Sequence, residues 1–404
     1  VALTGCRRDA PVAAGIADPD SPADLVVLLS ELLPAVERLS GLDRTDVIRM
    51  RRQSREAVRR YVESRLDAEL PPARLDAMRR TYTMLGLLPA ALDLRALLLD
   101  LYMEQVIGYY DPGTATIYVL DGTGADELRP LLAHELVHAL QDQHTDIDSL
   151  VAYERGNDRQ TAAHAALEGH AMVVMFAVLA EAATGRQLDP VSLPDPSLEL
   201  GAALEAQNRQ FPVFAAAPAI IRETLLFPYI HGSSFVHRLW RGMAPRERYP
   251  APLGELLPQA TADVLYPDRF MAGPLVPVEL AFARPPAGWH VVHENNLGLL
   301  ETRILLAAHG GSELRDEADG WTGDRYVLLA ADDGTQLLHW VSTWRDAAAA
   351  ARFAAAAGTA LAVLDHAVAD VASETVAGHP AVRVILRQAG VAAAAVPAMP
   401  VRLR

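Results

Sequence analysis

Apolar residues recur at three- and four-residue spacing from Ala23 to about Met103, in Leu25-Val26-Leu29, Leu32-Leu33, Val47-Ile48 and Val58-Tyr61-Val62. That period predicts packing helices. Pro71-Pro72 breaks the run, and a further helical stretch is expected from Arg74 to Leu87, before Pro89. The period then shortens. Val106-Ile107-Gly108-Tyr109-Tyr110 and Ala115-Thr116-Ile117-Tyr118-Val119-Leu120 are β-branched and aromatic runs on either side of Asp111-Pro112-Gly113-Thr114, which predicts a strand pair. A helix is expected around Leu132 to Leu140, with Pro130 in its first turn, and a longer one from about Asp158 to Gly185.

The character changes beyond about Pro285. Leu297 to Ala308 reads as helix, Arg325-to-Leu329 and Gln336-to-Val341 flank Asp332-Asp333-Gly334 as a hairpin, Arg345 to Val363 is an Ala-rich helix, and Ala381 to Leu386 adds a strand. These elements predict helices on a small antiparallel sheet, with Trp321, Trp340 and Trp344 in its core. No internal repeat is present. The expected fold is α+β, mainly helical with a small β-sheet, divided into residues 1–22, 23–284 and a C-terminal α+β unit at 285–404.

Composition narrows the function. Apolar residues make up 51% of the 404 positions and charged residues 22%, enough to build a packed body, and no apolar run reaches the roughly 18 residues of a membrane span. A net charge of −15 excludes nucleic acid as a partner, because such binding needs a basic face. All 36 basic residues are Arg, which reads as coding bias toward GC-rich codons.

The single cysteine matters for its place. Leu3-Thr4-Gly5-Cys6 resembles the lipobox of bacterial lipoproteins, in which the peptide is cut before the Cys and the sulfur is lipidated. The residues before it then belong to a truncated signal peptide, and residues 7 to 22, with Pro11, Pro19 and Pro22, form a solvated tether. The expected location is the bacterial cell envelope, outside the cytoplasm and anchored to a membrane by lipid at Cys6.

The central motif is His134-Glu135-Leu136-Val137-His138 within an apolar helical pattern. Positions i and i+4 lie on one helix face, so both imidazoles can hold one tetrahedral Zn²⁺ at about 2.0–2.1 Å. Glu135 is offset from that line and suits the general base that takes a proton from the activated water. A third ligand is required. Glu168 lies mid-helix in an apolar pattern, where an unpaired carboxylate is costly to bury. His144, six residues after His138, reproduces the metzincin spacing, but Gln141 stands where that pattern needs a turn-forming Gly. His164 and His170 are further candidates.

Three runs carry a family resemblance: Gly108-Tyr109-Tyr110-Asp111-Pro112 with Ile117-Tyr118-Val119, then His134 through His144, then Leu167-Glu168-Gly169-His170-Ala171. Together they resemble the zinc metallopeptidases of the gluzincin clan found as bacterial and archaeal surface lipoproteins. Phe227-Pro228-Tyr229 with Gly232 and Phe235-Val236, the stretch Pro258 to Phe270, and Gly320 to Tyr326 extend the similarity over roughly residues 45 to 390. The metal motif is the specific part. The resemblance implies a zincin-like catalytic domain, Glu168 as third ligand, and a peptide or unfolded protein as substrate. His170 departs from the Asp such proteins often carry there, which bears on the groups behind the ligands.

The implied mechanism is peptide-bond hydrolysis by water activated at zinc and deprotonated by Glu135. The resemblance places Tyr229 and His231 near the site, in an expected Pro-Tyr-Ile-His-Gly turn, as candidate donors to the oxyanion. The strand at Thr116 to Leu120 is a candidate edge for an extended substrate, and Asp142 and Asp158 are candidates to hold the second nitrogen of a ligand His. The alternative from another class is a non-catalytic surface lipoprotein that keeps the fold as a binding module. Glu135 favours the enzyme, since a scaffold has no need of a carboxylate there.

Overall fold

A computed structural model of the chain describes residues 15–197, 211–244 and 248–404. Cys6 and residues 7–14 of the expected tether lie outside the described residues. The architecture is α+β.

The chain opens with α1 (Ala23–Ser40), whose buried stripe Leu25, Leu29, Leu32, Leu33 and Val36 faces the core, and which ends at Gly41 with φ of 73°. Next comes a short strand, β1 (Arg49–Gln53), where the sequence pattern predicted helix around Val47-Ile48. Ile48 and Met50 are buried while Arg49 and Arg51 are only partly so, a period-two alternation hidden among arginines. Within the expected tether, Ile16 and Asp18 are paired with the folded part. Asp18 N–H donates to Ile48 O at 3.0 Å, Ile48 N–H donates to Ile16 O at 3.1 Å, and Arg51 pairs with Asp18.

Three helices follow, α2 (Arg55–Glu69), α3 (Pro72–Met84) and α4 (Leu94–Gln105). The strand pair is β2 (Gly108–Asp111) and β3 (Thr116–Leu120), antiparallel through the Asp-Pro-Gly-Thr turn. The sheet order is β1-β3-β2, with β1 parallel to β3. Thr116–Leu120 is therefore the central strand, with both sides paired, and not the edge expected for it. The outer strand on the other side is β2.

Helix α5 (Ala125–His144) begins earlier than expected, so Pro130 falls in its second turn and removes one intrahelical hydrogen bond. Glu127 accepts the Gly124 N–H at the N-terminus. After the single turn α6 (Ile147–Leu150), helix α7 (Asn157–Thr184) runs 28 residues to Gly185 at φ 65°. By length and composition alone α7 could cross a membrane, yet it is mostly buried and packs on α1, α5 and α8 (Ala219–Arg241) as the central core helix. The α7–α8 crossing is unusually close. A Cβ on Gly232 would lie 2.0 Å from Ala165 O, and one on Gly169 would lie 2.0 Å from the Gly232 carbonyl carbon. Only glycine fits at either position.

The C-terminal part contains α9 (Gly298–Gly310) and α10 (Ala347–Leu361) against an antiparallel sheet of order β5-β6-β7-β9-β8. Its strands are β5 (Trp289–Asn295), β6 (Trp321–Ala331), β7 (Gln336–Trp344), β8 (Ala367–Val376) and β9 (His379–Gln388). A two-stranded ribbon, β4 (Leu280–Phe282) with β10 (Val401–Leu403), covers part of the other face. Trp321, Trp340 and Trp344 are buried, and Phe353 of α10 stacks on Trp344 with ring centroids 4.3 Å apart. The hydrophobic core does not divide near residue 285: one connected set of buried apolar side chains runs from Leu25 to Leu386. Within the C-terminal part Asp324 ties β6 to the start of α9 by accepting the N–H groups of Leu297 and Gly298, at 2.8 and 2.9 Å.

Candidate metal centre

Helix α5 places His134 and His138 one turn apart on the face toward α7, and the close α7–α8 crossing fixes the stretch of α7 that carries Glu168. Their donor atoms converge. His134 Nε2 lies 3.1 Å from Glu168 Oε2, His138 Nε2 lies 3.1 Å from His134 Nε2, and His138 Nε2 lies 3.5 Å from Glu168 Oε2. Three ligands on a tetrahedral ion with bonds of about 2.0–2.1 Å stand roughly 3.3–3.4 Å apart, so this triangle fits a zinc ion. Among the described residues it is also the one cluster of His, Cys, Asp or Glu side chains suited to hold a metal.

The electrostatics report the same competition for a positive charge. Burial alone would lower the His138 pKa, but the Glu168 carboxylate outweighs it and raises the group to about 9. Burial would raise Glu168, and His138 and His134 instead hold it well below the usual carboxylate range. His164, half exposed one turn before Glu168, stands 3.2 Å from its other oxygen, Oε1, and so leaves Oε2 to the cluster.

Glu135 is 8% exposed and outside the triangle. Its Oε2 accepts the backbone N–H of Tyr110 in β2 at 2.8 Å. The same tyrosine donates its hydroxyl to Asp142 Oδ2 at 2.7 Å, two turns further along α5. Tyr110 thus straps the outer strand to the motif helix at two points.

Asp142 is spent on Tyr110 and does not hold a ligand imidazole. Asp158 does not either. It is buried, and it accepts the Thr261 N–H at 3.2 Å and the Thr261 hydroxyl. The α7 N-terminus is capped instead by Asn295 and Asn296. The second nitrogen of His138 is held by Gln141, whose Oε1 accepts from Nδ1 at 2.9 Å. The Gln141 amide then donates to Leu167 O at 3.1 Å and to His170 Nδ1 at 3.0 Å, and His170 Nε2 donates to Ser40 O at 3.0 Å. The direction of this chain is forced. Ser40 O only accepts, so His170 carries its proton on Nε2, Gln141 presents its oxygen to His138, and His138 Nε2 is left with its lone pair toward the cluster. Burial pushes His170 down to about 3, which keeps it neutral in that role.

Tyr229 reaches the site, with its ring 6.5 Å from that of His134. The Glu168 charge first, then burial and Glu135, raise its hydroxyl well above 10, so it stays protonated at neutral pH. His231 does not reach the site. The expected Pro-Tyr-Ile-His-Gly turn is a continuous part of α8, and two residues on a helix turn the side chain about 200° away. His231 is exposed beside Phe227, with Arg303, Arg315 and Glu223 as its charged neighbours. His144 is likewise away from the cluster, bonded to Asp43 O at 2.7 Å. The sequence pattern missed Gln141, His170 and Tyr110 in these roles. A fully buried amide on the apolar face of α5, one turn from His138, was the available signal for the first.

Comparison with known proteins adds one finding. A family described as a domain of unknown function (DUF8575) matches residues 287–401, which cover the five-stranded sheet with α9 and α10 and exclude the metal cluster. No curated protein and no solved structure matches the chain.

Proposed function

We propose that the protein is a zinc-dependent peptidase of the gluzincin type, lipid-anchored at Cys6 on the outer side of a bacterial membrane, acting on peptides or unfolded proteins. One observation carries this reading. Two imidazole nitrogens and one carboxylate oxygen stand 3.1–3.5 Å apart, with a second carboxylate, Glu135, held just outside them. The resemblance of the motif and Glu168 segments to gluzincin lipoproteins supports it, and the zincin-like character of the helical part belongs to the same proposal.

His134, His138 and Glu168 would hold the ion. When bound, zinc supplies Lewis acidity that polarises a carbonyl oxygen and acidifies a neighbouring water. Glu135 has one oxygen anchored by Tyr110, which leaves the other to take a proton from water and return it to the leaving amine. The protonated Tyr229 hydroxyl donates to the oxyanion. The outer strand β2 offers backbone groups for an extended substrate, a role that β3 is too enclosed to play.

Metal analysis of the purified protein is expected to give about one zinc per chain, lost in Glu168→Ala. Glu135→Gln is expected to keep zinc and lose cleavage of an unfolded protein substrate. Equal cleavage by that variant removes the mechanism. Zinc without cleavage in the wild type favours the non-catalytic binding lipoprotein.

A further inference from the structure

At the seam where the first turn of α7 meets the C-terminal sheet lies a cavity of about 380 Å³. Its walls come from the turn at Tyr153–Gly156, the start of α7, the end of β5, the start of β6 and the extended segment before β4. Five guanidinium groups line it, those of Arg74, Arg155, Arg159, Arg325 and Arg404. Five carboxylates line it too, and their partners decide the balance of charge.

Asp158 and Asp324 are turned into the wall. The first is bonded to Thr261, and the second accepts from Leu297 N–H, Gly298 N–H and the indoles of Trp321 and Trp340. Glu154 pairs with Arg74 at 3.4 Å, and Glu294 pairs with Arg325 at 2.9 Å. That leaves exposed Glu279 against Arg155, Arg159 and Arg404. Arg159 uses its Nε on Gln259 at 2.6 Å, which leaves its terminal nitrogens. Arg155 has no ion pair among the described residues, and its Nε is buried with no hydrogen-bond partner. Burial, and then the charge of Arg159, lower its pKa from the usual arginine value. A guanidinium partly out of water beside a second cation, with no carboxylate paired to it, is a configuration that an anion in the cavity resolves through the other guanidinium nitrogens.

We propose that this cavity is a binding site for a small molecule bearing an oxyanion group, phosphate or carboxylate, gripped by Arg155 and Arg159. Guanidinium forks match both groups bidentately, and the cavity has the size of a small-ligand site. The backbone N–H groups at the start of α7 take no part, because Asn295 and Asn296 already accept from them. The site is separate from the metal cluster. Arg159 and Glu168 are nine residues apart on one helix, about 14 Å, so a ligand here would act on the seam and not on the reacting atoms.

The test is calorimetric titration of the full chain with inorganic phosphate and, separately, succinate, at constant ionic strength set by chloride. Saturable binding of one anion is expected, and the tighter arm tells phosphate from carboxylate. Arg155→Gln and Arg159→Gln are each expected to weaken it at least tenfold. Arg60→Gln, on the exposed face of α2, leaves it unchanged. Both cavity arginines are partly solvent-accessible and free of ion pairs, so the variants should fold, which circular dichroism checks; if one fails, the other decides. No saturable heat with either anion overturns the proposal, and so does wild-type affinity in the folded cavity variants.

Discussion

Replacing Gln141 by Leu tests the hydrogen-bond chain behind the candidate metal ligands. Gln141 is fully buried and makes three contacts: it accepts from His138 Nδ1 and donates to His170 Nδ1 and Leu167 O. Leucine fills similar space and makes none of them. Leu167 O keeps its helical partner, but the two imidazole nitrogens are stranded, at roughly 1–3 kcal/mol each, and the gain from burying an apolar side chain returns part of this. The metal-free protein is expected to lose about 2–4 kcal/mol. Separately, His138 loses the contact that fixes its tautomer and ring angle, which is expected to weaken zinc about 10–100-fold. The assays are thermal unfolding of the metal-free chain and zinc affinity by chelator competition. Gln141→Glu separates the two effects. Its carboxylate still accepts from His138 but cannot donate to His170, so affinity should largely return while the stability loss remains. If the wild type binds zinc and Gln141→Leu binds it within twofold, the chain does not position His138. If the wild type binds no zinc, the metal reading itself falls.

Two further outcomes follow from the same geometry. Tyr229→Phe is expected to keep zinc and KM while lowering kcat about 10²–10³-fold, as removal of an oxyanion donor does, whereas His231→Ala is expected to be silent; equal kcat in Tyr229→Phe would remove that role. The seam should also set a pH dependence. Burial pushes Asp158 up to about 8 and Glu301 to about 7, well above unfolded carboxylates, so between about pH 4 and 8 these two groups hold protons in the folded chain that they lose in the unfolded one, and their contribution to stability should fall as pH rises through that window. Asp158→Asn is expected to flatten this slope in denaturant titrations at pH 5 and 8, and an unchanged slope would exclude Asp158 as its source.

Much of the scaffold was legible in the chain because single elements announce themselves. The strand pair around Asp111-Pro112-Gly113, the hairpin at Asp332-Asp333-Gly334 and the α7 stop at Gly185 all follow from local turn and cap chemistry. The convergence of His134, His138 and Glu168 was legible for a related reason: one helical turn separates the first two, and a carboxylate inside an apolar helix needs a partner. What stayed hidden depends on three bodies meeting at once. Gln141 gains its role only when α7 brings His170 and α1 brings the Ser40 carbonyl. Pro228 and Gly232 look like a turn in isolation, and the structure keeps them helical because α8 must lie flat against α7. Asp158 looks like a helix cap, but Asn295 at the end of β5 and Asn296 just after it take that place, each across 138 positions of chain.

The two glycines at that crossing connect the fold to the proposed chemistry. Glu168 is followed at once by Gly169, and Gly169 is packed against Gly232, three residues after Tyr229. The contact that draws α7 and α8 together therefore lies within one helical turn of both the candidate third ligand and the candidate oxyanion donor. A wider crossing, as any side chain at Gly232 would require, would move Glu168 and Tyr229 relative to each other before it disturbed either helix. His134 and His138 are fixed by the geometry of one helix, but Glu168 and Tyr229 are placed by packing between helices. The geometry of the proposed metal site thus depends on two residues without side chains as well as on the candidate ligands themselves.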